Sequence, residues 1–219
     1  YAEFAYEYTY RRDYTPEQVA QYTSDIAEEM SPLFYTAAYN SYTEEMDTDT
    51  SFRLLEDTAA VFGGEIEEAY RYMKEYGLFD LSKSSSKMPG SYMTYLSAYE
   101  MPFLYVSPTG TISDLLTEMH EFGHFVDGYV NCGNTTSIDC NEIFSQGLEF
   151  LSLNRAALTE DQREALTVSK VSEALTVFLG QGAYAAFELA VYDLPDAELT
   201  AENINQLFLE CNERFGMGF

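Results

Sequence analysis

The sequence predicts a mainly α protein with one small β element, and three observations carry that prediction. Capping signals recur along the chain, each followed by apolar residues at three- and four-residue spacing. Only residues 91–106 combine dense Tyr, Phe, Met and Thr with flanking Pro/Gly turn chemistry, as strands do. The segment just beyond them has helical patterning and carries both histidines of the chain.

The first twelve residues are rich in tyrosine and look like the tail of an earlier helix. Thr15-Pro16-Glu17-Gln18 then opens a helix, with Thr as N-cap, Pro in the first turn and Gln completing a capping box. Val19, Tyr22, Ile26, Met30 and Phe34 follow at helical spacing, and Pro32 inside this run is expected to kink or divide the helix. A polar break over Asp47 to Ser51 supplies a new cap. The stripe Phe52, Leu55, Ala59 and Phe62 behind it ends at Gly63-Gly64. A third helix runs from Ile66 to Tyr76 and is closed by Gly77.

Residues 83–90, reading KSSSKMPG, form a flexible loop. The stretch Ser91 to Val106, split by Pro102, reads as two short strands or one hairpin. A turn at Ser107-Pro108-Thr109-Gly110 leads into the histidine helix, which Thr111 or Ser113 would cap, with Asp114 in the first turn. A Gly/Asn/Thr loop follows, and Asp139-Cys140-Asn141-Glu142 starts the next helix, ending near Asn154. The capping box Thr159-Glu160-Asp161-Gln162 opens a long helix toward Asp193, with bends expected at Gly180 and Gly182. Thr200 caps a last helix that ends near Phe215.

A chain of 219 residues can bury a sizeable core. Its net charge of −26 and pI near 4.1 exclude nucleic acid as a partner, because nothing neutralises phosphates, and they disfavour an anionic membrane surface. Such a charge either steers basic peptides toward a cleft or forms a solvated acidic surface. The most apolar run, from Val177 to Tyr192, contains Gln181 and Glu188 and reads as no membrane span. Cys132, Cys140 and Cys211 are odd in number without a CxxC pair, which fits a reducing compartment and a cytoplasmic location. Cys132 and Cys140 match no standard zinc spacing and are read as ordinary thiols.

The stretch Met119-His120-Glu121-Phe122-Gly123-His124-Phe125 organises the chain. On a helix, positions i and i+4 share a face, so His120 and His124 can reach one ion, with Glu121 beside a water bound to it. This is the pattern of a zincin-like site holding one Zn²⁺ per chain. A catalytic zinc needs a third protein ligand, and no third histidine exists. Glu142, 18 residues after His124, lies in the first turn of the following helix, where an antiparallel return brings it beside the histidines. Glu149, two turns further along the same face, is the alternative ligand or a group supporting one from behind. Asp127 and Asp139 are nearer in sequence and less well directed. On this reading residues 1–82 form a helical lobe, and residues 83–219 hold the β element and the zinc-binding helices.

These residues resemble a family. HEFGH followed by Glu142-Ile143-Phe144-Ser145-Gln146 and Glu149 is similar to the M3 metallopeptidases, specifically the oligoendopeptidase F branch. Upstream, Gly90-Ser91-Tyr92, Met101-Pro102-Phe103 and Gly110-Thr111 resemble the segment leading into that family's zinc helix. Downstream, Gly182-Ala183-Tyr184-Ala185-Ala186-Phe187-Glu188 resembles an FxxFE-like stretch of a later helix. The resemblance covers most of the chain. It implies a zincin-like, mostly helical catalytic core around a channel admitting short peptides, with His120, His124 and Glu142 as zinc ligands and Glu121 as general base. Family members usually carry a further histidine where this chain has Asp127, at a position that is not a ligand. Full-length members are more than twice as long, and their carbonyl-stabilising Tyr and His residues fall beyond Phe219. With Tyr1 rather than Met at its start, the chain is expected to be one piece of a larger peptidase, with the remainder as its partner. A truncated zinc-binding fragment without turnover is the alternative.

Overall fold

The computed structural model describes residues 4–34, 44–133 and 140–217. Two compact units emerge, one formed by residues 1–40 with 168–219 and the other by Ser41–Thr167. The boundary anticipated at residue 82 falls inside the second unit. Both sides of that boundary feed one core there, in which Leu55, Ala69 and Met73 are buried with Leu104, Leu115 and Phe122.

The second unit begins with α2 (Thr48–Phe62), once α1 (Pro16–Phe34) of the other unit is counted. Asp47 caps α2 by accepting from the Thr50 N–H at 2.9 Å. Leu55 and Ala59 of the expected stripe are buried, with Phe52 and Phe62 packed at the margin. Gly63 ends α2 at φ 66°, a left-handed backbone that favours glycine. α3 (Gly64–Tyr76) is closed by Gly77 in the αL conformation. Three strands then form a sheet in the order β1-β3-β2: β1 (Phe79–Asp80), β2 (Ser91–Leu96) and β3 (Met101–Val106). The anticipated hairpin is β2 antiparallel to β3, pairing Met93 with Leu104. β1 is an addition, two residues pairing parallel to β3, too short to leave a periodic signal.

The histidine helix is α4 (Ser113–Val130). Its start differs from expectation, since neither Thr111 nor Ser113 caps it. Asp114 instead turns back to accept from the Thr109 and Gly110 N–H groups at 2.9 and 2.7 Å and from the Thr109 hydroxyl. A carboxylate in the first turn takes loop donors and the helix dipole together, which one hydroxyl could not do. α5 (Asn141–Leu153) packs along α4, and Arg163 donates to the carbonyls of Leu153, Ala156 and Leu158 just beyond its end. Residues 134–139, including Asp139, lie outside the described residues.

In the other unit, α1 carries the expected capping box: Thr15 Oγ1 accepts from Gln18 N–H, and Gln18 Oε1 accepts from Thr15 N–H. Pro32 does not divide α1, which continues to Phe34. The buried side of α1 is Ser24 and Ala27, while Tyr22 and Ile26 of the apolar stripe are exposed. Close packing explains this choice. Gly182 of α6 (Glu160–Tyr192) lies where an added Cβ would meet Phe215 at 2.6 Å and Thr23 at 3.3 Å, so the α6 backbone sits tight against the Thr23 side of α1. α6 runs through Gly180 and Gly182 as one helix, and at Gly182 the missing Cβ permits a close approach. By length and composition alone α6 could cross a membrane. Its Leu179, Ala183 and Ala186 are buried with Cys211 of α7 (Ala201–Arg214) and with Phe215. Thr200 caps α7 as expected.

Candidate metal centre

The HEFGH segment lies mid-way along α4, where its helical repeat sorts residues by face. Phe122 and Phe125 are fully buried in the core, and the two imidazoles emerge half-buried on the other side with ring centroids 5.0 Å apart. Gly123 lets α5 approach that face. A Cβ there would fall 2.5 Å from Ser145 Cα and 2.6 Å from the Phe144 carbonyl oxygen. That approach brings the first turn of α5 to the histidines. Glu142 Oε2 lies 3.3 Å from His120 Nε2 and 3.5 Å from His124 Nε2.

The three donor atoms lie within 4.8 Å of one another. A tetrahedral zinc bound at about 2.0–2.1 Å has ligand–ligand edges of about 3.3–3.4 Å, so the two short separations already match such an ion. The donors, two imidazole nitrogens and one carboxylate oxygen, are those of a borderline-soft divalent cation. Ser145 Oγ donates to the same Glu142 oxygen at 2.6 Å and holds the carboxylate in position.

Glu149 stands behind His120, its oxygen 2.6 Å from Nδ1. A carboxylate only accepts, so Nδ1 carries the proton, which leaves the Nε2 lone pair for an ion held between His120 and Glu142. Burial alone would lower the His120 pKa, but the hydrogen bond and charge of Glu149, with Glu121 and Glu142 nearby, outweigh it and raise the pKa. For His124 burial is the largest influence and pulls its pKa down, against the charges of Glu142 and Asp127. Glu121 is 7% exposed, and burial raises its pKa against the pull of His120 and a backbone hydrogen bond from Met93. Glu121 is thus anchored by the edge strand β2 and held closer to neutrality than a free carboxylate.

His120, His124, Glu121 and Glu142 line one open cleft of about 470 Å³ with Ser91, Tyr92, Met93, Asp127 and Asn141. The structure brings together every site residue expected from the sequence, with Glu149 directly behind. Of the three tyrosines in residues 91–99, Tyr92 reaches the cleft. Tyr95 packs over Gly133, and Tyr99 is exposed in the connection between β2 and β3. Sequence reasoning missed Met93, whose role depends on strand register, and Ser145, which a Ser three residues after a candidate ligand could have signalled. Cys132 and Cys140 are free thiols and take no part.

No protein-family model matches the chain. Its sequence is 27% identical over 197 residues to Oligoendopeptidase F, chromosomal, of Lactococcus lactis subsp. cremoris, covering 81% of this chain and 32% of that protein. A solved structure assigned to oligoendopeptidase F from Bacillus anthracis str. Ames superposes with a TM-score of 0.82 at 22% identity, over 99% of this chain and 45% of that one. PZ peptidase A, solved with an inhibitor, gives 0.80 at 22% identity, over 98% and 43%. The chain therefore has the mainly α fold of this class of peptidases. In sequence it is similar to oligoendopeptidase F. It spans about a third of the curated relative's length and less than half of the solved ones.

Proposed function

We propose that the chain carries the metal centre of a zinc-dependent oligopeptidase that hydrolyses short peptides. The observation that carries this reading is the convergence of His120, His124 and Glu142 within 4.8 Å, with buried Glu121 lining the same cleft. When bound, a zinc ion supplies Lewis acidity and a water acidified toward neutrality. The chain's own groups do the rest. Glu149 fixes the His120 tautomer, and Ser145 steadies Glu142. Glu121, oriented by the Met93 N–H, accepts a proton from the attacking water and returns it to the leaving amine. Its raised pKa suits a group that must both take and give a proton near neutral pH. Edge strand β2 borders the cleft through Ser91, Tyr92 and Met93 and can pair with an extended peptide by strand addition.

The M3 assignment, the zinc identity and a cytoplasmic location for the three free thiols belong to this proposal. A second reading is a zinc-binding piece that needs the remainder of a larger peptidase for turnover, and it rests on the chain's spanning only 32% of the curated relative. Cleavage of a quenched fluorescent peptide by the zinc-loaded chain, lost in Glu121→Gln with zinc retained, supports the first reading. Bound zinc without cleavage favours the second, and an absence of zinc binding overturns both.

A further inference from the structure

Asp127 lines the cleft of the metal centre yet neither holds the ion nor moves the proton. It follows His124 by three residues and so shares the cleft face of α4. The residue is 9% exposed, and its carboxylate accepts from Asn131 Nδ2 at 2.6 Å. As an acid in the last turn of a helix it faces the negative end of the helix dipole, a placement that stability does not favour. A local rule broken at a site points to a use for the residue.

Two side chains of the same lining, Met93 and Tyr92, offer apolar surface. The Met93 methyl and sulfur lie 3.4 and 3.8 Å from where a Cβ on Gly128 would stand, beside Asp127, and Tyr92 is 42% exposed along the same lining. No lysine or arginine lines the cleft among the described residues, and the chain carries a net charge of −26. Apolar surface and a buried carboxylate lining one cleft suit a long aliphatic stem with a cationic head.

We propose that Asp127 selects peptides bearing a lysine or arginine beside the scissile bond, the stem lying on Met93 and Tyr92 and the cation meeting the Asp127 carboxylate. This deepens the peptidase reading of the cleft and rests on it. The test uses quenched fluorescent peptides identical except for Arg, Gln or Glu at each position flanking the bond, with cleavage mapped by mass spectrometry. The Arg-to-Gln ratio of kcat/KM should exceed about ten, because a hydrogen bond to a charged group is worth that much. It should fall about tenfold in Asp127→Asn, and Asp127→Lys should reverse it in favour of Glu. A second arm measures, by fluorescence anisotropy, binding of labelled Arg and Gln peptides to zinc-loaded Glu121→Gln with and without Asp127→Asn. That arm reads the preference without turnover, so absence of cleavage would count against the peptidase reading alone. An Arg-to-Gln ratio near one in binding, or a ratio that Asp127→Asn leaves unchanged, would overturn the role given to Asp127.

Discussion

Gly123→Ala should drive α4 and α5 apart and loosen the metal centre from a residue that is not itself a donor. The added methyl would stand 2.5 Å from Ser145 Cα, 2.6 Å from the Phe144 carbonyl oxygen and 2.8 Å from Ser145 N. These are backbone atoms within a helix, so no rotamer relieves the overlap, and restoring contact at about 3.5 Å requires a separation of about 1 Å. Overpacking of this kind costs about 1–3 kcal/mol, of which about 0.5–1 returns as helix propensity. A net loss of about 0.5–2 kcal/mol lowers Tm by roughly 1–8 °C in a chain of this size. Metal sites tolerate only about 0.2 Å of ligand displacement, so zinc affinity should fall with it, by about 10–100-fold. Gly147 on α5 is the internal control. A Cβ there meets nothing within 4 Å, so Gly147→Ala should raise Tm by about 1–4 °C. Circular-dichroism melts of the metal-free protein and competition titration with a fluorescent zinc chelator read both effects. A Gly123→Ala variant with unchanged Tm and zinc affinity within twofold of the parent would refute the claim that this close approach sets the ligand geometry.

Two further outcomes test buried carboxylates of the same unit, Glu149 and Glu118. Glu149→Ala should weaken zinc binding by about 10–100-fold and, in the metal-free protein, move the His120 titration followed by NMR to lower pH. Unchanged values in both would remove Glu149 from the site. Glu118 is fully buried with its pKa raised from 4.5 to about 8, chiefly by burial, and only one of its oxygens has a hydrogen-bond partner among the described residues, Ser51. The folded state therefore holds a proton that the unfolded chain has released between those two values, so stability falls as pH rises from about 5 to 8. At about 1.4 kcal/mol per pKa unit the fall is on the order of 4 kcal/mol. Glu118→Gln should flatten that slope in urea titrations and stabilise the protein at pH 8, and a slope equal to the parent's would contradict the burial argument.

What the sequence made legible was local. Helix geometry alone converts the spacing of His120 and His124 into a shared face, and Glu121, caught between them, comes with it. Capping boxes at Thr15 and Thr159 and the cap at Asp47 were readable because each closes within three residues. Glu142 was reachable because α5 returns along α4, and Gly123, already within the motif, is what permits that return. The remainder depended on partners far away in sequence. The Met93 hydrogen bond to Glu121 requires the register of β2, which no periodicity reports. Tyr22 and Ile26 looked like core, yet α1 buries Ser24 and Ala27, and Ala27 packs in one cluster with Leu179, Ala183 and Phe215, far away in sequence. Asp114 displaced two competent hydroxyls at the start of α4 because its carboxylate collects three donors from the preceding loop.

The central claim is that His120, His124 and Glu142 together hold one divalent ion. Equilibrium dialysis against buffered zinc, with metal counted by plasma mass spectrometry, tests it on the parent chain and on His120→Ala, His124→Ala and Glu142→Ala. One zinc per chain in the parent, with affinity reduced by at least a hundredfold in each variant, is the expected result, since loss of a donor exceeds the loss of an outer partner. Zinc bound as tightly by Glu142→Ala as by the parent, or no zinc bound by the parent at all, would contradict the account.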